Sequence, residues 1–306
     1  MNREEEIIRG LIQNIFFYTN VKLTKTAIHK ILFKLRTELP EGDQVRTCLP
    51  FYWYNYGPFS EVVGSVIDEM KDNNSLAEEE DRNGNALLSP AENVLNDSGI
   101  FSEVNEKLST IVLSVNVYRL DSFVDKIYRE NAPYEFMPLY KLDFLKNLED
   151  AVFHISSDST NNQQINRLEN VLFECEASLI DEPIFRDYNQ KFSTFTTSME
   201  RSFTLIRAGE SCSKPVAQTI QMPAVEVWYT FVRGVRILEP GHDQYYNDKL
   251  PAWHTEFQDY YDRMVTIVDD LSKTSLKYHL IAPNPRHPPD PKTKTILSSI
   301  VDGYLS

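Results

Sequence analysis

The stretch Tyr52-Trp53-Tyr54-Asn55-Tyr56-Gly57-Pro58-Phe59-Ser60-Glu61-Val62 decides how the rest of the chain is read. Residues 48–56 are aromatic and strand-like. Gly57 breaks the strand, and Pro58, with its fixed φ, suits the first position of a helix. That helix is predicted to run to about Lys71, because Phe59, Val62, Val63, Val66, Ile67 and Met70 form one apolar stripe. Residues 75–89 then read as a β-hairpin turning at Asn83-Gly84, the strongest short-range signal for a two-residue turn.

Upstream, residues 3–19 place Ile7, Ile8, Leu11, Ile12 and Ile15 on one helical face. Thr24 can cap a second helix that Pro40 stops after Leu39. Its core stripe is Ile28, Ile31, Leu32, Leu35 and Leu39, and its opposite side carries Lys25, Lys30, Lys34 and Arg36. Helix, strand, helix and hairpin in that order make a winged-helix-like arrangement. Residues 102–131 read as one further long helical region ending at Pro133. Residues 143–153 continue the domain or begin a link.

Residues 155–164 are polar and poor in large apolar groups, which marks them as the domain boundary. Beyond them the pattern becomes long amphipathic helices over about 163–180, 183–208, 222–237 and 251–280, which fit an antiparallel bundle. Residues 283–292 hold five prolines, an extended spacer. A short amphipathic segment follows, with Ile296, Leu297, Ile300, Val301, Tyr304 and Leu305. The expected fold class is therefore mainly α. An N-terminal winged-helix-like domain with a small β-hairpin spans 1–153, and an antiparallel helical bundle spans 162–280. The Pro-rich spacer and short C-terminal amphipathic helix take up 283–306.

A chain of 306 residues has room for two domains, and 16 Tyr with 17 Phe supply ample core material. The formal net charge of −14 sets the protein against phosphate backbones unless its cations are segregated. Residues 51–100 hold ten carboxylates against two cations, Lys71 and Arg82. Cys48, Cys175 and Cys212 are far apart and odd in number, which predicts reduced thiols in a cytoplasmic protein. No apolar run has the length of a membrane span, and the first residues lack the layout of a signal peptide.

The motif quoted above resembles the aromatic-x-Tyr-Gly-Pro-aromatic-Ser signature of a prokaryotic winged-helix family that includes phage-associated regulators and Panacea-like antitoxins. The helix upstream and the stretch Val124 to Tyr134, a helix followed by Pro133, extend the resemblance over roughly residues 5–140. It implies binding to another macromolecule, in toxin-neutralising or phage-defence settings. It brings no catalytic residue. Glu78, Glu79, Glu80 and Asp81 depart from the pattern, since a DNA-binding wing usually carries Lys or Arg there.

Each candidate has a plainer alternative. Tyr56 and its Gly-Pro neighbours are architectural or contact a partner. Glu61 and Asp68 lie on the outward face of the helix after Pro58, where carboxylates favour a basic partner over phosphates. Glu78 and Glu79 are an acidic contact or an ordinary solvated loop. Lys25, Lys30, Lys34 and Arg36 are a phosphate-contacting stripe or a solvated helix face. Ile296, Ile300 and Tyr304 suit a helix-in-groove ligand or fold back onto their own bundle. The six histidines show no metal-ligand spacing, and there is no Gly-rich phosphate loop. The expectation is therefore a non-enzymatic interaction component with no cofactor and no metal. Its expected partner is another protein, a basic one, or a second copy of itself. The alternative is a dimeric winged-helix regulator that binds DNA.

Overall fold

The computed structural model describes residues 3–19, 21–82, 84–91, 102–115, 120–156, 162–208, 213–239, 244–281, 295 and 299. It shows the expected class: mainly helical, with an antiparallel β-hairpin near the N-terminus followed by helices. By compactness the chain parts elsewhere than the polar stretch 155–164. One unit is Met1–Asn131 with Val235–Pro251, and the other is Ala132–Gly234 with Ala252–Ser306. The spacer and tail helix expected over 283–306 lie outside the described residues, apart from 295 and 299.

The first unit begins with α1 (Arg3–Tyr18) and α2 (Lys25–Glu38). The Thr24 hydroxyl accepts from the Ala27 N–H and so caps α2 as expected. Leu39 ends it, and the Arg46 guanidinium donates to the Leu39 carbonyl at 2.7 Å. A short α3 (Gln44–Thr47) is capped by Asp43. Two antiparallel three-residue strands follow, β1 (Tyr52–Tyr54) and β2 (Gly57–Phe59), and then α4 (Glu61–Asp72).

Pro58 does not open the helix. It pairs opposite Trp53 inside β2, and the helix starts three residues later behind the Ser60 hydroxyl, which accepts from the Val63 N–H. Proline fits because a two-stranded ribbon leaves edge positions that need no amide donor.

Strands β3 (Leu76–Glu80) and β4 (Ala86–Pro90) form the expected hairpin, but not with a two-residue turn. Glu80 pairs with Ala86, so residues 81–85 make the connection. The Asp81 carboxylate accepts from the Asn85 backbone and side chain, holding a wider loop, with Gly84 at φ +80°. Leu23, between α1 and α2, adds a single bridge to Leu88 of β4. The region 102–131 is two helices, α5 (Ser102–Ser114) and α6 (Leu120–Asn131), rather than one.

The second unit opens with a continuous helical run of α7 (Phe136–Pro138), π-helical turns over Leu139–Leu145 and α8 (Lys146–Ser156). The Asn147 side-chain amide donates to the Leu142 and Asp143 carbonyls where the turns widen. Helices α9 (Asn162–Ala177) and α10 (Arg186–Arg207) run antiparallel: Arg207 grips Glu169 and Asn166, and Asn189 donates to the Ile180 carbonyl. Helices α11 (Ser213–Leu238) and α12 (Leu250–Ile281) also run antiparallel, with Arg263 on Glu226, Thr230 on the Tyr260 carbonyl and Arg233 on Glu256.

The core of this unit is aromatic. Phe136, Tyr140, Phe144, Phe185, Tyr188, Phe192, Phe195, Trp228 and Phe231 are all buried, and their rings stack or meet edge to face. The expected stripe Phe185, Tyr188, Phe192, Phe195 and Met199 is therefore core. The Tyr140 and Tyr188 hydroxyls find backbone acceptors in α11, the carbonyls of Ala224 and Val227. At Gly234 an added Cβ would lie 2.4 Å from Phe185 Cζ and 3.2 Å from Phe257. No helix among the described residues is long and apolar enough to cross a membrane.

Gly234→Ala is expected to lower stability by about 1–3 kcal/mol through overpacking. Urea unfolding checks this, and Phe185→Leu on the same chain should recover part of the loss.

Candidate functional site

The Tyr-Gly-Pro-Phe-Ser element lies on α2, and the contact is polar as well as apolar. Gly57 adopts φ +92°, a region that L side chains rarely enter. An added Cβ there would lie 3.1 Å from Lys30 Nζ and 3.2 Å from the Tyr128 ring. This close approach lets Lys30 Nζ donate to the Pro58 carbonyl at 2.8 Å. Two residues on, the Ser60 carbonyl faces His29 Nε2 at 3.1 Å, and His29 Nδ1 faces the Lys25 carbonyl at 2.8 Å. The His29 ring stacks on Phe59, with centroids 4.8 Å apart and planes 7° from parallel.

Both side chains are buried, His29 at 2% exposure and Lys30 at 3%. Lys30 was expected on a solvated, phosphate-facing stripe; it is instead inside the fold. Burial pushes its ammonium down to about 7. Burial also lowers His29, against the two backbone carbonyls that favour its protonated form.

The other face of the β1–β2 ribbon meets the late segment of the same unit. The Tyr246 hydroxyl donates to the Pro50 carbonyl, and its ring sits edge-on to Tyr52 at 5.0 Å. The Arg236 guanidinium lies 5.8 and 5.5 Å from the ring centroids of Tyr52 and Tyr54. Glu61 accepts from the Tyr52 hydroxyl at 3.1 Å and pairs with the Lys249 ammonium. It is therefore half-buried and engaged rather than free on an outward face. Burial raises the Tyr52 phenol well above its usual range, so it stays a neutral donor.

The remaining surface candidates are interlocked by sign. Lys25 pairs with Asp68 at 2.9 Å. Lys34 pairs with Glu130 at 3.1 Å and Glu38 at 3.7 Å. Arg36 is half-buried. Glu78 pairs with Lys71, and Glu79 pairs with Lys22. Exposed pairs of this kind add little stability. Their effect is on the surface field, since Lys25, Lys34, Lys71 and Lys22 each face a carboxylate before any ligand arrives.

Tyr56 stands at the tip of the ribbon and is 66% exposed. Ile296, Ile300 and Tyr304 lie outside the described residues. A cleft of about 360 Å³ between α2, α5 and α6 is lined by Lys34, Glu38, Thr110, Ser114, Ser122 and Lys126. The Cys48 and Cys175 thiols are buried, and burial raises both above the usual thiol range, which disfavours the thiolate a nucleophile needs. Among the described residues no three His, Cys, Asp or Glu side chains converge to hold a metal ion.

Three features of this region were not read from the sequence: the buried His29 and Lys30, the Arg236 and Tyr246 contacts, and the Lys249 partner of Glu61. A signal for the first lies in Ala27–Phe33, where His29 and Lys30 are the only polar residues of an otherwise apolar run. The other two join residues more than 180 positions apart and leave no local trace.

Gly57→Ala should destabilise the protein by about 1–3 kcal/mol, because the strained φ and the crowded Lys30 act together. A shift of the urea midpoint checks this.

The comparisons with known proteins are without a match: no family model, no curated protein and no solved structure is similar to this chain.

Proposed function

We propose that this protein is a non-enzymatic interaction component whose N-terminal unit docks another protein. The observation that carries this reading is the state of the α2 cations. Lys25 and Lys34 are already paired with Asp68 and with Glu130 and Glu38, and Lys30 is buried against the Pro58 carbonyl. A duplex-binding face needs such cations free to replace counterions on phosphates. The helix that would enter a groove, α4, turns Ser65, Asp68 and Glu69 to solvent.

Element order supports a winged-helix-like module: α1, the Leu23 bridge, α2, α4 and the β3–β4 hairpin follow one another. The β1–β2 ribbon is inserted between the second and third of its helices, and it projects Tyr56. An exposed tyrosine at the tip of a ribbon suits a protein surface. The reading extends to a regulatory or neutralising role of the toxin–antitoxin or phage-defence kind, in line with the resemblance of the Tyr-Gly-Pro-Phe-Ser motif. Homodimerisation is a further arm of the same proposal.

Two measurements test it. Titration with mixed-sequence duplex DNA at about 150 mM salt should give no saturable binding. Tight binding that weakens steeply with salt and is reduced by Lys25→Ala with Lys34→Ala would favour the DNA-binding regulator instead. Affinity capture from the native host should return a defined protein partner, and Tyr56→Ala should reduce its recovery at least severalfold without shifting the unfolding midpoint.

A further inference from the structure

Two adjacent titratable side chains of α2 hold alternate carbonyls of one short segment. Lys30 Nζ donates to Pro58 and His29 Nε2 meets Ser60, so β2 and the first turn of α4 are tied to α2 at both ends of Phe59. The Ser60 carbonyl also accepts from the Gly64 N–H, so the His29 contact bears directly on how α4 starts.

No carboxylate accepts from His29 or Lys30 among the described residues. On α2 itself, Lys25 and Lys34 are of like sign and tied to Asp68 and Glu130. On β1 the titratable neighbours are the phenols Tyr52 and Tyr54, and β2 has none. On α4, Glu61 is held by Tyr52 and Lys249. On α6, Tyr128 presents its ring above Gly57, and Glu130 is occupied by Lys34 and Lys126. An ammonium in this place has one acceptor for three N–H donors, so the neutral amine fits the site better than the cation.

We infer that Lys30 is the pH-sensitive part of a latch, which together with His29 holds the β1–β2 ribbon and the start of α4 on α2 and loosens as Lys30 takes up a proton. The latch rests on this local packing alone and holds whichever partner the surface meets.

The sign of the effect follows from linkage. Lys30 has a folded value near 7 against an ordinary 10.5, so the opened state binds the extra proton between those values. Closure therefore strengthens as pH rises from about 7 towards 10.5 and loses that contribution on the way down.

Two measurements on the unaltered full chain test this. In a lysine Cε-labelled sample, one resonance should titrate near neutrality; if every lysine titrates near its ordinary value, the latch is refuted. Hydrogen exchange over residues 52–64, corrected for intrinsic rate, should show protection rising with pH between 7 and 9, by up to about tenfold per pH unit. Flat protection overturns the proposal. Lys30→Met, where it folds, should abolish the rise and keep the ribbon protected at pH 7. A variant that retains the wild-type slope sinks the assignment to Lys30. If Lys30→Met does not fold, the two wild-type measurements decide the matter.

Discussion

The N-terminal unit depends on how one strand lies against one helix. The Pro58 carbonyl meets the Lys30 side chain, and the Ser60 carbonyl meets His29 as well as the Gly64 N–H, with both side chains buried. An unmet buried carbonyl costs about 1–3 kcal/mol, so the Pro58 carbonyl, met by Lys30, outweighs any exposed ion pair on this surface. The constraint spreads outward. The strand can reach α2 only if Gly57 takes a left-handed φ and carries no side chain. The hydroxyl of Ser60 can cap α4 only once its carbonyl is placed. The sequence Gly-Pro-Phe-Ser thus combines a close approach, an edge strand, a ring for His29 to stack on and a helix start.

That same element shows how far the sequence could be read. Helix α2 was legible because Ile28, Ile31, Leu32 and Leu35 recur at helical spacing and Thr24 and Pro40 bound it. Lys30 was misplaced because charge is normally taken as exposure, and that rule fails where a lysine has a backbone acceptor. Pro58 was misread because proline is equally at home at a helix start and on an edge strand. The Ser60-Glu61 pair was the better marker, since serine is a strong cap and Glu61 suits the first turn. The wide loop at residues 81–85 was hidden behind Asn83-Gly84 because the Asp81 and Asn85 side chains choose the connection.

The aromatic core of the second unit was far easier to read. Phe185, Tyr188, Phe192, Phe195 and Met199 alternate at spacings of three and four, and all five are buried. No partner has to be inferred for a phenyl ring to go inside. Polar groups are harder because their placement depends on distant acceptors, as with Tyr140 on Ala224 or Tyr246 on Pro50.

The discontinuity of the first unit has a consequence for how the protein is made. Residues 235–251 complete a body whose other part ends at Asn131, with the whole second unit up to Gly234 emerging in between. During synthesis the early helices leave the ribosome long before Arg236, Tyr246 and Lys249 exist to cover Tyr52 and engage Glu61. Until then the aromatic ribbon is a nascent surface without its cover. The interval is set by translation rate, roughly 5–20 residues per second, rather than by any property of the finished fold.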